Sequence, residues 1–259
     1  MTTRPAAVAG TFYPGQPGAL RASVVSLLET AELADTPAPQ ALIVPHAGYI
    51  YSGPIAASAY RVLEQQRERV KRVVLIGPAH RVYVRGMALP SVDAFATPLG
   101  EVPVDREAIE QLAQLPSTAI ADDAHALEHC LEVHLPFLQV VLAEFAVVPI
   151  LVGDCSPADV AQVLESLWND DTFILVSSDL SHYHRYEVAQ RLDAQTTASI
   201  VARETNLHGE QACGAHAING LLQLAKQRDL EVAVLAVRNS GDTAGERDQV
   251  VGYGAYALH

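Results

Sequence analysis

Short apolar runs recur along this chain, and segments with helical periodicity separate them. Residues 41–45 and 73–76 are two such runs, and residues 54–69 between them have the pattern of a helix. Two strands joined through a helix form a βαβ unit, whose strands run parallel, and we expect these two strands to be neighbours in the sheet. Further runs lie at residues 84–90, 147–152, 172–177, 231–237 and 249–257. The sequence therefore predicts an α/β fold with a central, largely parallel or mixed sheet and helices on both faces.

The segments between the apolar runs supply the predicted helices. Ser156 and Pro157 have the residue types of an N-cap and a first helical position. Pro136 must lie in a first turn or bend its helix. Neither a repeat nor a linker divides the chain, so residues 1–259 are predicted to form one domain. The helices are expected at residues 18–32, 54–69, 105–114, 129–144, 156–168, 186–203 and 214–227.

Composition excludes several classes of protein. The chain has 259 residues, a hydrophobic fraction of 49% and a formal net charge of -13, so it would repel nucleic-acid phosphates. Cys130, Cys155 and Cys213 are odd in number and form no CxxC pair, which indicates free thiols in a reducing compartment. No apolar run approaches the roughly 18 residues of a membrane span, and no signal segment is evident. We expect a soluble cytoplasmic protein with no membrane or nucleic-acid partner.

Three histidines follow apolar runs. They are His46, His80 and His182, and each comes shortly after a predicted strand. Ligands of open α/β sheets bind outside the carboxyl ends of the strands. Three imidazoles in that position indicate a metal centre or an acid/base centre, although a lone histidine would more often bond loop backbone.

Carboxylates accompany these histidines. Asp179 precedes His182 by three residues and would fix its tautomer or bind metal, unless it only caps a helix beside a surface histidine. Glu128 and Glu132 flank His129, with His134 following, but the spacing is not that of an HExxH zinc protease. This acidic segment is either a solvated helix face or a group that orients ligands or moves protons.

Two further segments offer single candidates. Cys213 opens a predicted helix, where a thiol nucleophile is conceivable, but the small residues around it fit close packing better. Asp242 follows the strand ending near Val237 and is a hard oxygen ligand candidate, with Thr243 as a hydroxyl donor. Taken alone, this segment equally fits a polar turn.

Taken together, these segments resemble the Memo family over nearly the whole chain. The family's prokaryotic members are often called AmmeMemoRadiSam system protein B, and its fold is similar to that of class III extradiol dioxygenases of LigB type, which use non-haem iron. The matching stretches are residues 9–14, 45–49, 77–80, 128–136, 177–182 and 240–242.

The resemblance implies roles for the candidate residues. His46 and His80 match the metal-binding histidines of Memo-type proteins, and Asp179 and His182 match pocket positions. A cysteine that is the third ligand in the animal protein is aligned with Thr243, so Asp242 is expected to complete the site. Two histidines and a carboxylate suit Fe(II), with zinc or copper as alternatives.

The same resemblance implies three functional hypotheses. The leading one is an iron-dependent protein with redox or dioxygenase-type chemistry on a small substrate, in which His182 and Asp179 act as acid and base and His134 assists. The second is a non-catalytic adaptor that binds a peptide or phosphopeptide. The third is an accessory role in a pathway linked to a radical-SAM enzyme.

Overall fold

Two sheets organise the chain in this computed structural model, which describes residues 2–259. The strands are β1 (Thr3–Arg4), β2 (Ala41–Val44), β3 (Arg72–Pro78), β4 (Met87–Leu89), β5 (Ala94–Thr97), β6 (Gly100–Pro103), β7 (Thr118–Ile120), β8 (Ala146–Val152), β9 (Thr172–Ser177), β10 (His182–His184), β11 (Val232–Asn239) and β12 (Val250–Leu258). The helices are α1 (Pro17–Thr30), α2 (Tyr49–Glu64), α3 (Arg106–Leu112), α4 (Asp122–Ala126), α5 (Leu135–Val141), α6 (Pro157–Ser166), α7 (Tyr186–Val201) and α8 (Ala215–Gln227).

The larger sheet confirms the predicted α/β class. Its order is β12-β2-β9-β3-β8-β4-β7, and both β10 and β11 pair with β12. The four central strands β2, β9, β3 and β8 are parallel, while β4 and β12 pair with them antiparallel. The sheet is therefore mixed around a parallel centre.

One part of the predicted topology is wrong. The strands before His46 and His80 were expected to be neighbours, but β9 lies between them and hydrogen-bonds to both. The connection through α2 skips one position in the sheet, and a later segment of the chain fills it. As a result, the end of β9 lies between the two histidine loops.

Burial explains why the central strands read as continuous apolar runs. All residues of β2 and β9 are buried, as expected for parallel strands covered on both faces. Helices α2, α7 and α8 pack on the sheet, α1 and α5 pack with α2, and α6 packs on α8. None of the helices within residues 2–259 is both long and apolar enough to cross a membrane.

Local sequence patterns predicted some ends of helices and strands correctly and others incorrectly. Ser156 caps α6 as predicted, since its side chain accepts from the Asp159 N–H. Pro136 lies in the first turn of α5, but that helix is only seven residues long and a 3-10 turn, Glu132–His134, precedes it. The predicted strand at residues 84–90 shortens to β4. The small sheet of β1, β5 and β6 was not predicted.

Candidate metal centre

Three side chains from separate parts of the chain converge at the carboxyl edge of the parallel strands. His46 follows β2, His80 follows β3, and Cys213 lies just before α8. One ligand atom of each lies within 4.8 Å of the others. Cys213 Sγ is 3.3 Å from His46 Nε2, and the two imidazole centroids are 5.2 Å apart. This spacing is compact enough for one ion bound at the usual distances of about 2.0–2.3 Å.

His46 is held by one hydrogen bond at its backbone and one at its ring. Its backbone N–H donates to Asp179 Oδ1 at 2.8 Å, and its Nδ1 lies 2.6 Å from Ser177 Oγ. The residue is only 2% exposed. Burial, followed by the neighbouring rings of His80 and His129, lowers its pKa well below the ordinary value. The ring is therefore neutral, as a metal ligand must be, with Nε2 directed toward Cys213.

Glu128 orients the second histidine. The His80 backbone N–H donates to Glu128 Oε2 at 2.7 Å, and His80 Nδ1 lies 3.0 Å from Oε1, so Nε2 is the nitrogen left for an ion. Burial by itself would raise the pKa of Glu128, but hydrogen bonds from His129 and His80 hold it well below its ordinary range. An ionised carboxylate behind a ligating imidazole is a common support of metal sites.

His80, Glu128 and His129 also lie close enough to form a second group of donors. Glu128 Oε1, however, already accepts the backbone N–H groups of His129 and Cys130 in addition to facing His80. The His129 ring stacks on His80 with centroids 4.9 Å apart. This group therefore lies behind the first site and holds His80 in place. Of the two alternatives for this segment, a solvated helix face is wrong, because Glu128 and Glu132 are both buried.

Cys213 is a thiol that the surrounding chain encloses. Its backbone N–H donates to the Asp179 carbonyl at 3.3 Å, and the Asp179 N–H points at Sγ, also at 3.3 Å. Burial and then the Asp179 charge raise the pKa of the thiol to about 12, which outweighs the position of Cys213 before α8. A thiol with so high a pKa is a poor nucleophile. A bound cation would instead stabilise its thiolate form.

Ser177 connects His46 to a buried hydrogen-bond network. Its hydroxyl donates to the Cys130 carbonyl at 2.7 Å, and His134 Nε2 lies 2.9 Å from the same oxygen. The other His134 nitrogen, Nδ1, is 2.8 Å from the Tyr60 hydroxyl. Burial lowers the pKa of His134 to about 3. His134, expected to assist catalysis, is 1% exposed and lies behind Ser177 rather than in contact with solvent.

An open crevice of about 750 Å³ gives access to the histidines. Asp179 and His182, the predicted acid/base pair, both line it. Among the hydrogen bonds that the structure describes for residues 2–259, none links these two side chains. Burial raises the pKa of Asp179 to about 7 and lowers that of His182. The remaining walls are largely aromatic and polar: Phe12, Tyr51, Arg81, His129, Tyr183, Glu246, Gln249 and Tyr253.

The structure does not bring Asp242 to the two histidines. Its carboxylate accepts the Tyr186 hydroxyl and the Asn239 N–H, which stabilises a 3-10 turn, Ser240–Asp242. The Thr243 hydroxyl donates to the Ser240 carbonyl. Both oxygens of Asp242 are thus used locally, and the thiol of Cys213 is the side chain that lies with the two histidines. The available signal was the pair Cys213-Gly214, in which a small residue lets the thiol approach another element.

Comparison with known proteins shows which family this chain resembles over nearly its whole length. A family model described as "Memo-like protein" matches residues 4–257. A MEMO1 family protein of Ignicoccus hospitalis is 35% identical, and one of Aquifex aeolicus is also 35% identical, each alignment covering 98% of both chains. A MEMO1 family protein of Aeropyrum pernix is 36% identical over 98% of this chain and 99% of its own. The similarity therefore includes every element that carries a site residue.

Proposed function

This chain belongs to the Memo-like protein family, and from the site that it carries we propose that it binds a redox-active transition metal. The observation behind the proposal is the convergence of His46, His80 and Cys213 within 4.8 Å. Both imidazoles are supported at Nδ1 by another side chain, as ligating histidines usually are. The residues present therefore fit a metal ion.

The donor set bears on the choice of metal. Fe(II) is the ion expected if Asp242 completes the site with a carboxylate. Two imidazoles and a thiolate instead resemble the donors of copper and zinc sites, and zinc has no redox chemistry of its own. We therefore propose copper ahead of iron, with zinc as the redox-inert competitor.

The crevice residues suggest how a small substrate would be handled. A bound copper or iron ion would supply one-electron chemistry next to the crevice. Asp179, with a pKa near 7, holds or releases a proton close to the site, since its Oδ2 is 4.0 Å from His46 Nε2. His182 is neutral and accepts a proton at the crevice wall. The two residues thus act separately on the substrate of a redox reaction rather than as a hydrogen-bonded pair.

The metal content of the purified protein tests whether His46, His80 and Cys213 bind an ion. Protein purified without oxygen should carry close to one equivalent of metal. Cys213→Ser should reduce affinity by more than the roughly 10–100-fold expected when only a supporting hydrogen bond is lost. Asp242→Asn is the matched control and should retain the metal. Retention in Cys213→Ser together with loss in Asp242→Asn would restore Asp242 as the third ligand.

Oxygen consumption tests the redox part of the proposal. The metal-loaded protein is supplied with catechols and other small reductants, and uptake should fall in the Asp179→Asn variant while its metal content stays unchanged. Absence of uptake with every reductant, despite a fully loaded site, would contradict redox chemistry and favour the adaptor hypothesis.

A further inference from the structure

We propose that Ser177 is a positioning residue that fixes the tautomer of His46, so that an unprotonated Nε2 faces Cys213 before any ion arrives. The inference builds on the proposed function, in which His46 is a ligand. It concerns the metal-free protein, however, and can be tested without metal.

The position of Ser177 follows from the strand order. Ser177 is the last residue of β9, and its register partner on β2 is Val44, two residues before His46. It is fully buried. Because β9 lies between β2 and β3, its hydroxyl reaches the His46 ring and the segment after Glu128 at the same time. A neighbouring order of β2 and β3 would not allow this contact.

Counting protons on Ser177 Oγ determines the direction of each hydrogen bond. The oxygen has one proton and three partners, which are the Cys130 carbonyl, His46 Nδ1 and His134 Nε2. A carbonyl only accepts, so the serine proton goes to Cys130. Both imidazoles must then donate to the two lone pairs of Oγ. His46 therefore carries its proton on Nδ1.

The residues at both ends of this hydrogen-bond network, Tyr60 and Cys213, agree with the assignment. His134 donates at Nε2, so its Nδ1 accepts from the Tyr60 hydroxyl, which is a phenol because burial raises its pKa well above the ordinary value. At the other end, the Cys213 thiol lies 3.3 Å from His46 Nε2, which on this assignment is free to accept its proton. Every proton has an acceptor. The opposite His46 tautomer would take the serine proton and leave the buried Cys130 carbonyl unpaired.

The consequence is a ligand prepared in advance. An imidazole protonated at Nε2 would first have to move its proton before an ion could bind there. With Ser177 in place, the lone pair of Nε2 is already directed at the site. His134 and Tyr60 lie on the far side of Ser177 from His46 in the hydrogen-bond network. They keep the second lone pair of Oγ occupied without touching the site.

Nitrogen NMR of the metal-free protein tests the assignment directly. The His46 signals, identified by their loss in His46→Gln, should show a protonated Nδ1 and an unprotonated Nε2. Ser177→Ala should move the proton toward Nε2 and weaken Zn²⁺ binding by about 10–100-fold. Thr172→Val deletes another buried hydroxyl of β9 that has no hydrogen-bond partner, and it should change neither readout.

Two outcomes would overturn the proposal. A wild-type protein with the His46 proton on Nε2 contradicts it even if Ser177→Ala does not fold. A folded Ser177→Ala variant with unchanged tautomer and Zn²⁺ affinity contradicts it as well. If the wild-type tautomer is as expected but no variant or wild-type protein binds any metal, the proposed function fails while the role of Ser177 stands.

Discussion

Glu132 is a single buried carboxylate that fixes the N-terminal segment next to the crevice. It accepts from Arg4 Nη1 at 2.7 Å, from the Tyr13 hydroxyl at 2.6 Å, and from the backbone N–H groups of Ala7 and Val8. The Phe12 ring of this segment packs on His129. One charge thus determines where part of the crevice wall lies.

Glu132→Gln should be strongly destabilising. The substitution keeps the shape of the side chain but leaves Arg4 as a buried charge without a counterion, which typically costs about 3–5 kcal/mol. Urea unfolding at neutral pH measures this loss. Glu144→Gln makes the same chemical change at an exposed position and should leave the midpoint unchanged. Equal midpoints for the two variants would show that the ion pair contributes nothing.

At the scale of elements, the long buried strands of the larger sheet could be predicted but their order could not. Buried parallel strands such as β2, β3 and β9 are continuous apolar runs, and a short window of sequence reveals them. Their order depends on packing between distant segments, which no local pattern encodes. This is why the sequence identified His46 and His80 but not the contact between His46 and Ser177.

Cys213 was not identified from the sequence as a candidate metal ligand for a related reason. It follows no strand, so the strand-end pattern that identified the histidines did not apply to it. Gly214 brings it to the site: a Cβ at this glycine would lie 2.6 Å from the Ser177 carbonyl oxygen and 2.7 Å from Ser178 Cβ. The start of α8 reaches the end of β9 only because this side chain is missing.

Gly214→Ala should therefore displace Cys213 and weaken metal binding. The backbone conformation of Gly214 suits any residue, so the effect is steric, and the methyl group meets backbone that cannot move aside easily. Isothermal titration with Zn²⁺ should show affinity reduced by at least tenfold. Gly209→Ala is the control, since a Cβ there meets nothing within 4 Å. Similar affinities for both variants would contradict a role for Gly214 in placing the thiol.

At the scale of the whole molecule, the site joins segments that are distant in sequence. His46, His80 and Cys213 come from the loops after β2 and β3 and from the start of α8. These loops are held by hydrogen bonds to Glu128 and Asp179, whose own positions depend on the fold. An ion bound by all three ligands needs the folded arrangement, so it binds the native state in preference to the unfolded chain.

Metal binding should accordingly raise the melting temperature. At a free Zn²⁺ concentration about a hundredfold above Kd, binding adds about 2.7 kcal/mol to the free energy of unfolding. For a chain of this size, that corresponds to a rise of roughly 5–10 °C, measured by calorimetry with and without the ion. The His46→Ala, Cys213→Ala double variant should show almost none of it, because a single remaining imidazole binds equally well in the unfolded state. If the melting temperature rose equally in the wild-type protein and the double variant, the stabilising ion would bind elsewhere on the surface. That result would contradict stabilisation by an ion at the proposed centre.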